Sequence, residues 1–228
     1  MKKIFFSLTL SLLLFCASGQ KLSRITLSGS GNLEKIAFEL GEYVIINISK
    51  DGNLINWGVD NYIGRGENYM DKLSEYTGKT GYYSELDNEA FRGKLKFIGM
   101  TYFTYYASYD DEMLRGKIKT IGKTTLDYYS SYENESYKGL FKSIGPMAVT
   151  WYGSFDNASY KGKIKSLGLI PFTYYSSLED KLIRGKVKSI DRSSFTYYTS
   201  FDKPEYRGGF KTGSPVVYAN GIKFQISY

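Results

Sequence analysis

Histidine is absent from all 228 residues, and cysteine occurs once, at Cys16. Without histidine there is no His-based catalytic triad and none of the usual zinc sites. Without a second cysteine there is no intrachain disulfide. Stability must come from hydrogen bonding and burial. Proline is scarce, with four residues. No phosphate-cradling loop is present: Gly64-Arg65-Gly66 lacks the Lys-Ser/Thr of a P-loop. No apolar run reaches the roughly 20 residues of a membrane-spanning helix. The longest, residues 4–17, follows Lys2-Lys3 and precedes Ala17-Ser18-Gly19. A charged start, an apolar middle and small residues before the cut describe a secretory signal peptide. Residues 1–19 are read as that leader, with lipidation at Cys16 as the alternative. Phe15 argues against lipidation, which wants a small residue there. Cleavage would remove Lys2, Lys3 and the only thiol, and lower the formal charge from +7 to +5. The expected location is outside the cytoplasm: periplasmic, secreted or on the cell surface.

The chain is instead rich in tyrosine, with 23 residues, and their placement is periodic. An aromatic-Tyr pair falls at 82–83, 105–106, 128–129, 151–152, 174–175 and 197–198. A basic-Gly pair falls at 92–93, 115–116, 138–139, 161–162, 184–185 and 207–208. Both series step by 23 residues without insertion or deletion. A fixed period of this size marks a repeat architecture. Numbering each repeat from its first aromatic aligns the six copies into columns. Column 1 is Tyr or Trp, column 2 always Tyr, column 6 always acidic. Column 11 is always Arg or Lys, column 12 always Gly and column 15 always Lys.

Tyr, Phe, Ile, Val and Thr favour strands, and no helical stripe survives the alignment. The columns therefore predict two strands per repeat. Strand A covers columns −2 to 5, a four-residue loop covers columns 6–9, and strand B covers columns 10–17. Such a loop places column 5 opposite 10, 3 opposite 12, 1 opposite 14, and the column 15 lysine opposite Thr in most repeats. The invariant glycine then lies beside the column 1 aromatic, as in aromatic rescue of a strand glycine. One face of the sheet is oily and the other carries Tyr and basic residues.

The predicted fold is all-β: an extended antiparallel β-meander of six 23-residue hairpin repeats at 80–214, with an N-terminal β cap or degenerate repeats at 20–79, where KLSEYTG resembles KLKFIGM at 94–100. Within the cap, YVIINIS and NLINWG flank Lys50-Asp51-Gly52-Asn53 and read as a hairpin. Residues 215–228 supply a capping strand. Something must cover the oily face. The cap, curling of the sheet, a homodimer packed through that face and lipid are the candidates.

The copy DNASYKGKIKSLG at 156–168 resembles MORN repeats, which carry an acidic turn followed by Tyr-x-Gly-x-aromatic. The likeness covers residues 80–214. It departs where the Gly after the acidic residue is missing, and the Tyr of Tyr-x-Gly is kept only at Tyr137, Tyr160 and Tyr206. The resemblance implies a single-layer hairpin array used for scaffolding or surface contact, with no catalytic residue and no cofactor.

The candidate binding face comprises three rows. Column 2 gives Tyr83, Tyr106, Tyr129, Tyr152, Tyr175 and Tyr198. Column 11 gives Arg92, Arg115, Lys138, Lys161, Arg184 and Arg207. Column 15 gives Lys96, Lys119, Lys142, Lys165, Lys188 and Lys211. Equivalent columns recur every second strand, so the rows step by about 10 Å. Lysine rows interleaved with tyrosine suit a protein partner or an anionic polysaccharide, with no specific nucleic acid implied. The plainer reading is a charged face that stays soluble and resists edge association.

Three function classes follow: an exported, non-enzymatic interaction scaffold; an outer-membrane β-barrel with the Lys/Tyr face lining its lumen; and an enzyme or toxin. The barrel is suggested by the alternating GIKFQISY terminus. The carboxylate pairs Asp110-Asp111 and Glu179-Asp180 sit in repeated loops, where solvated turns or salt bridges to column 11 are expected, with weak calcium binding as the alternative. An enzyme would have to use Asp51, Asp60, Glu67 or Asp71 of the cap, whose spacing shows no pattern.

Overall fold

The computed structural model describes residues 19–60 and 73–227. Residues 1–18 of the leader with Cys16, and Glu67, Asp71 and Tyr228, lie outside the described residues. Four strands come first: β1 Lys21–Leu27, β2 Leu33–Glu39, β3 Val44–Ser49 and β4 Leu54–Val59. The repeats then supply β5 Thr80–Tyr82, β6 Leu95–Ile98, β7 Thr101–Tyr105, β8 Ile118–Ile121, β9 Thr124–Tyr128 and β10 Phe141–Ile144. They continue with β11 Met147–Trp151, β12 Ile164–Leu167, β13 Ile170–Tyr174, β14 Val187–Ile190, β15 Ser193–Ser194, β16 Thr196–Tyr197 and β17 Phe210–Thr212. β18 Val216–Ala219 and β19 Ile222–Ile226 end the chain.

Strands β5 to β15 form one sheet of 11 strands in strict chain order, and β16–β17 form a further hairpin. Every neighbouring pair in it is antiparallel, as a meander requires. The turn between consecutive repeats is two residues long. Its first residue is Gly99, Gly122, Gly145 or Gly168, each with φ of 54–55°. Glycine takes this left-handed conformation without the Cβ penalty. The fifth such turn uses Asp191 instead, at φ 50°.

The register departs from the expected one at a single repeated place. Column 1 does pair with column 14, as Tyr105↔Ile118 and Tyr174↔Val187 show. Column 0 then pairs with column 16, as in Thr104↔Thr120, so the column 15 lysine is the extra residue of a β-bulge. A strict strand alternates its faces, so columns 14 and 17 could not both face inward. The bulge makes it possible. Ile118 and Ile121 are both fully buried, as are Val187 and Ile190. The column −1 residues Phe103, Leu126, Val149, Phe172 and Phe195 complete the inward row.

The oily face is covered by the chain itself. Strands β1–β4 form a second sheet, in the order β18-β19-β1-β2-β3-β4. The Asp51-Gly52 hairpin appears as β3–β4. β19 joins this sheet beside β1, in parallel, with Arg24↔Lys223 through Leu27↔Ile226. It therefore does not sit on the edge of the repeat sheet. Ile25, Leu27, Ile36, Phe38, Ile46 and Ile48 pack with the repeat phenylalanines in one buried cluster. Phe172 and Phe224 meet edge to face at 5.6 Å. Each such side chain stabilises the fold by about 1.5–3 kcal/mol. The two sheets stack face to face and do not close into a barrel.

Candidate binding face

Regular strand pairing ends at column 2. The backbone of Tyr106 donates to Lys117 O at 3.0 Å and accepts from Gly116 N at 2.8 Å. Columns 3–13 then form a compact double turn rather than the expected continuation of two strands around a four-residue loop. Asp110 N bonds Ala107 O, and Leu114 N and Arg115 N both bond Asp111 O, one turn of helix-like chain. This geometry explains the conserved columns. The invariant column 12 glycines have φ between 69 and 77°. Their role is left-handed backbone, not cover by an aromatic. A Cβ on Gly162 would meet Ser136 O at 3.0 Å, with no Trp151 atom among its nearest neighbours.

The acidic column caps the turn. Asp87, Asp110, Asp156 and Asp202 each accept the column 3 N–H through Oδ2 at 2.6–2.7 Å. These bonds, led by the Ser84 and Thr199 amides, hold the Asp87 and Asp202 carboxyls below the usual range. The arginines of column 11 reach the column 6 carbonyl rather than the carboxylate. Arg92, Arg115, Arg184 and Arg207 donate Nε there at 2.7–3.0 Å. Lys138 pairs with Glu135 at 2.7 Å, and Lys161 is exposed. Column 5, expected on the oily face, instead points into solvent. Leu86, Tyr109, Tyr132, Phe155, Leu178 and Phe201 are 85–102% exposed, because the turn starts before them.

The tyrosine row works between repeats. The hydroxyls of Tyr83, Tyr106, Tyr129, Tyr152 and Tyr175 donate to the column −1 carbonyl of the next repeat, at 2.8–3.2 Å. Column 1 reaches back in the same way. Tyr105, Tyr128 and Tyr174 hydroxyls and the Trp151 indole donate to the column 14 carbonyl of the preceding repeat, at 2.7–2.9 Å. The column 13 lysines also bridge repeats. Lys117 Nζ donates to Gly139 O at 2.5 Å and lies 5.2 Å from the Tyr128 ring. Lys163 Nζ donates to Gly185 O and to Ser30 O of the β1–β2 loop, both at 2.5 Å, which ties the two sheets together. Column 13 holds Leu140 in one internal repeat, and the ring it would cover is the one tryptophan of column 1, Trp151.

A further ladder was not seen in the sequence. Column 7 Asn or Asp bonds column 4 Ser of the next repeat: Asn88 to Ser108 at 3.0 Å, Asp111 to Ser131 at 2.7 Å, Asn134 to Ser154 at 2.8 Å, Asn157 to Ser177 at 3.0 Å, and Asp180 to Ser200. The same side chain caps its own turn, as Asn157 does to Ser159 N at 3.0 Å. The signal was present. Column 7 is Asn or Asp in the first five repeats, and column 4 is Ser in the last five. Asn157→Ala should therefore lower the melting temperature, with a cost of about 1–3 kcal/mol. Lys203→Ala, in the same column but with no following repeat, should leave it unchanged. Equal effects would show that the ladder contributes nothing.

The column 15 row faces outward as well, beside the exposed column 11 side chains Arg92, Arg115, Lys161, Arg184 and Arg207. Each bulge lysine lies over the column 2 ring of its own repeat, with Nζ 5.1–5.6 Å from the centroid in all six copies. Lys119, Lys142, Lys165, Lys188 and Lys211 are exposed and Lys96 is half-buried. Two carboxylates approach them, Glu133 to Lys142 at 3.9 Å and Asp202 to Lys211 at 3.5 Å. Beside the lysines runs a strip of hydroxyl pairs, including Thr104–Thr120, Thr150–Ser166 and Thr173–Ser189 at 2.6–2.7 Å. Among the described residues no group of three or more His, Cys, Asp or Glu is placed to hold a metal ion. The character of this face rests on its own geometry, because no family model, no curated protein and no solved structure matches the chain.

Proposed function

We propose that this protein is an exported, non-enzymatic binding module that presents the lysine row of its repeat sheet to an extended anionic partner. An acidic polysaccharide is the class that fits. The observation that carries the reading is the fixed position of six ammonium groups over six tyrosine rings. A lysine held by a ring spends less entropy on binding than a free one. Six of them at a step of about 10 Å match a polymer with regularly spaced carboxylates. The leader at 1–19 and the resemblance to MORN-type arrays support a role outside the cytoplasm in surface contact.

The test is titration of the protein with polygalacturonate, followed by calorimetry at low and high salt. Lys119→Glu, Lys142→Glu and Lys165→Glu together should weaken binding at least about tenfold, since each removes a charge and adds the opposite one. Circular dichroism should be unchanged, because all three side chains are exposed. Binding that survives the triple change, or that ignores salt, would place the contact elsewhere.

A further inference from the structure

We propose that copies of this chain associate head to tail, the first repeat of one copy docking on the sixth repeat of the next. The proposal does not depend on the ligand of the lysine face. It follows from how the internal repeats meet.

Inside the array column 1 rings pack on column 2 of the preceding repeat, and at Tyr105 and Tyr174 on column 10 as well, a nest of two rings. Tyr105 lies 5.9 Å from Tyr83 and 6.1 Å from Phe91. Tyr174 lies 5.9 Å from Tyr152 and 6.2 Å from Tyr160. The five column 1 rings with a preceding repeat are 3–7% exposed, whereas Tyr82, the first, is 56% exposed. At the other end Tyr198 and Tyr206 form the same nest, rings 5.3 Å apart, with no ring of the described residues entering it. Tyr206 is 51% exposed. Among the described residues, one end thus offers a ring without a nest and the other a nest without a ring.

The charges match as well. Internal junctions join column 7 Asn or Asp to column 4 Ser. Only the two outer positions depart from this pattern: column 4 of the first repeat is Glu85, and column 7 of the last is Lys203. Both are exposed. Stacking the ends in the internal register would bring that carboxylate to that ammonium. An exposed ion pair adds little affinity, but it selects one partner and one orientation. Glycine backbone at the head leaves room too: a Cβ on Gly93 would meet nothing within 4 Å, whereas one on Gly116 would meet Ala90 O of the preceding repeat at 2.7 Å. A contact between unlike ends does not close on itself in a pair. It extends into chains or rings.

Sedimentation velocity on the full chain, purified after expression with its own leader, tests this over rising concentration. The expected result is a weight-average mass that climbs with concentration. Glu85→Lys alone and Lys203→Glu alone should each shift assembly to several-fold higher concentration, since like charges then meet. Mixing the two variants should restore assembly, and so should combining both changes in one chain. Tyr82→Ser should weaken assembly at least about tenfold by emptying the nest. A wild-type chain that remains monomeric up to its solubility limit overturns the proposal. So does assembly that is unshifted in both single variants, which would assign the contact to another surface such as the exposed column 5 row.

Discussion

Raising the pH above about 10 should unfold this protein steeply. Tyr105, Tyr106, Tyr128 and Tyr174 are 4–8% exposed. Burial pushes each phenol well up, helped by the nearby Asp127 carboxylate at Tyr106 and by neighbouring tyrosines at Tyr128 and Tyr174. The folded-state values are raised above the unfolded one, so the stabilisation is complete below the unfolded pKa. It is lost as the pH climbs through the range where only the unfolded chain ionises. Each pH unit above about 10 then costs up to about 1.4 kcal/mol per buried phenol, and the four together about 5 kcal/mol. Lys163 acts in the opposite sense. Burial lowers its ammonium to about 8 and lowers those of Lys94, Lys117 and Lys186 too, so these groups add stability as the pH rises, but their gain ends near the unfolded lysine pKa of about 10.4 while the phenols go on losing it. Far-ultraviolet circular dichroism and phenolate absorbance, followed together across the alkaline range, check this. Loss of sheet signal should coincide with a step in phenolate. Smooth titration of all the tyrosines with the sheet intact would contradict it.

Gly185→Ala should be among the most damaging single changes in the chain, and Gly93→Ala, in the same column, much milder. Both glycines have left-handed backbone, at φ 74° and 69°, which costs an alanine about 1–2 kcal/mol. The surroundings differ. A Cβ on Gly185 would lie 2.5 Å from Ser159 O and 2.6 Å from Lys163 Nζ, whereas one on Gly93 meets nothing within 4 Å. Displacing Ser159 O would pull on the preceding repeat, and displacing Lys163 would break its bonds to Gly185 O and Ser30 O. The Gly185 change should therefore cost about 3–5 kcal/mol and lower the melting temperature by about 10 °C, several times the Gly93 effect. Similar melting temperatures for the two variants would mean that backbone strain alone accounts for the invariant glycine.

The unit of the fold was legible because six copies write it out. The column 1 and column 14 pairing, the oily and basic faces, and the β3–β4 hairpin at Asp51-Gly52 could all be taken from alternation and turn chemistry. The bulge at column 15 could not. A residue added to one strand leaves no mark except a hydrophobic pair three apart, such as Ile118 and Ile121, which alternation alone assigns to opposite faces. The same limit hid the double turn: Leu86 and Phe155 read as core residues until the backbone turned before them. The candidate face was half legible. Its lysines stayed outward, but the tyrosine hydroxyls are spent on the carbonyls of the next repeat, and a sequence does not say which acceptor lies within 3 Å.

The sequence by itself determined the repeat, its period, its strand content and the two-faced sheet, because local propensity and a period of 23 act within one copy. Only the tertiary structure decided what covers the oily face. That cover comes from β1–β4 with β19 added in parallel beside β1, a pairing between residues about 200 positions apart. The apolar sides of β1–β3 and of the repeats are chemically alike. Either could have met a second copy or lipid, and mutual burial within one chain is the solution that costs no association entropy.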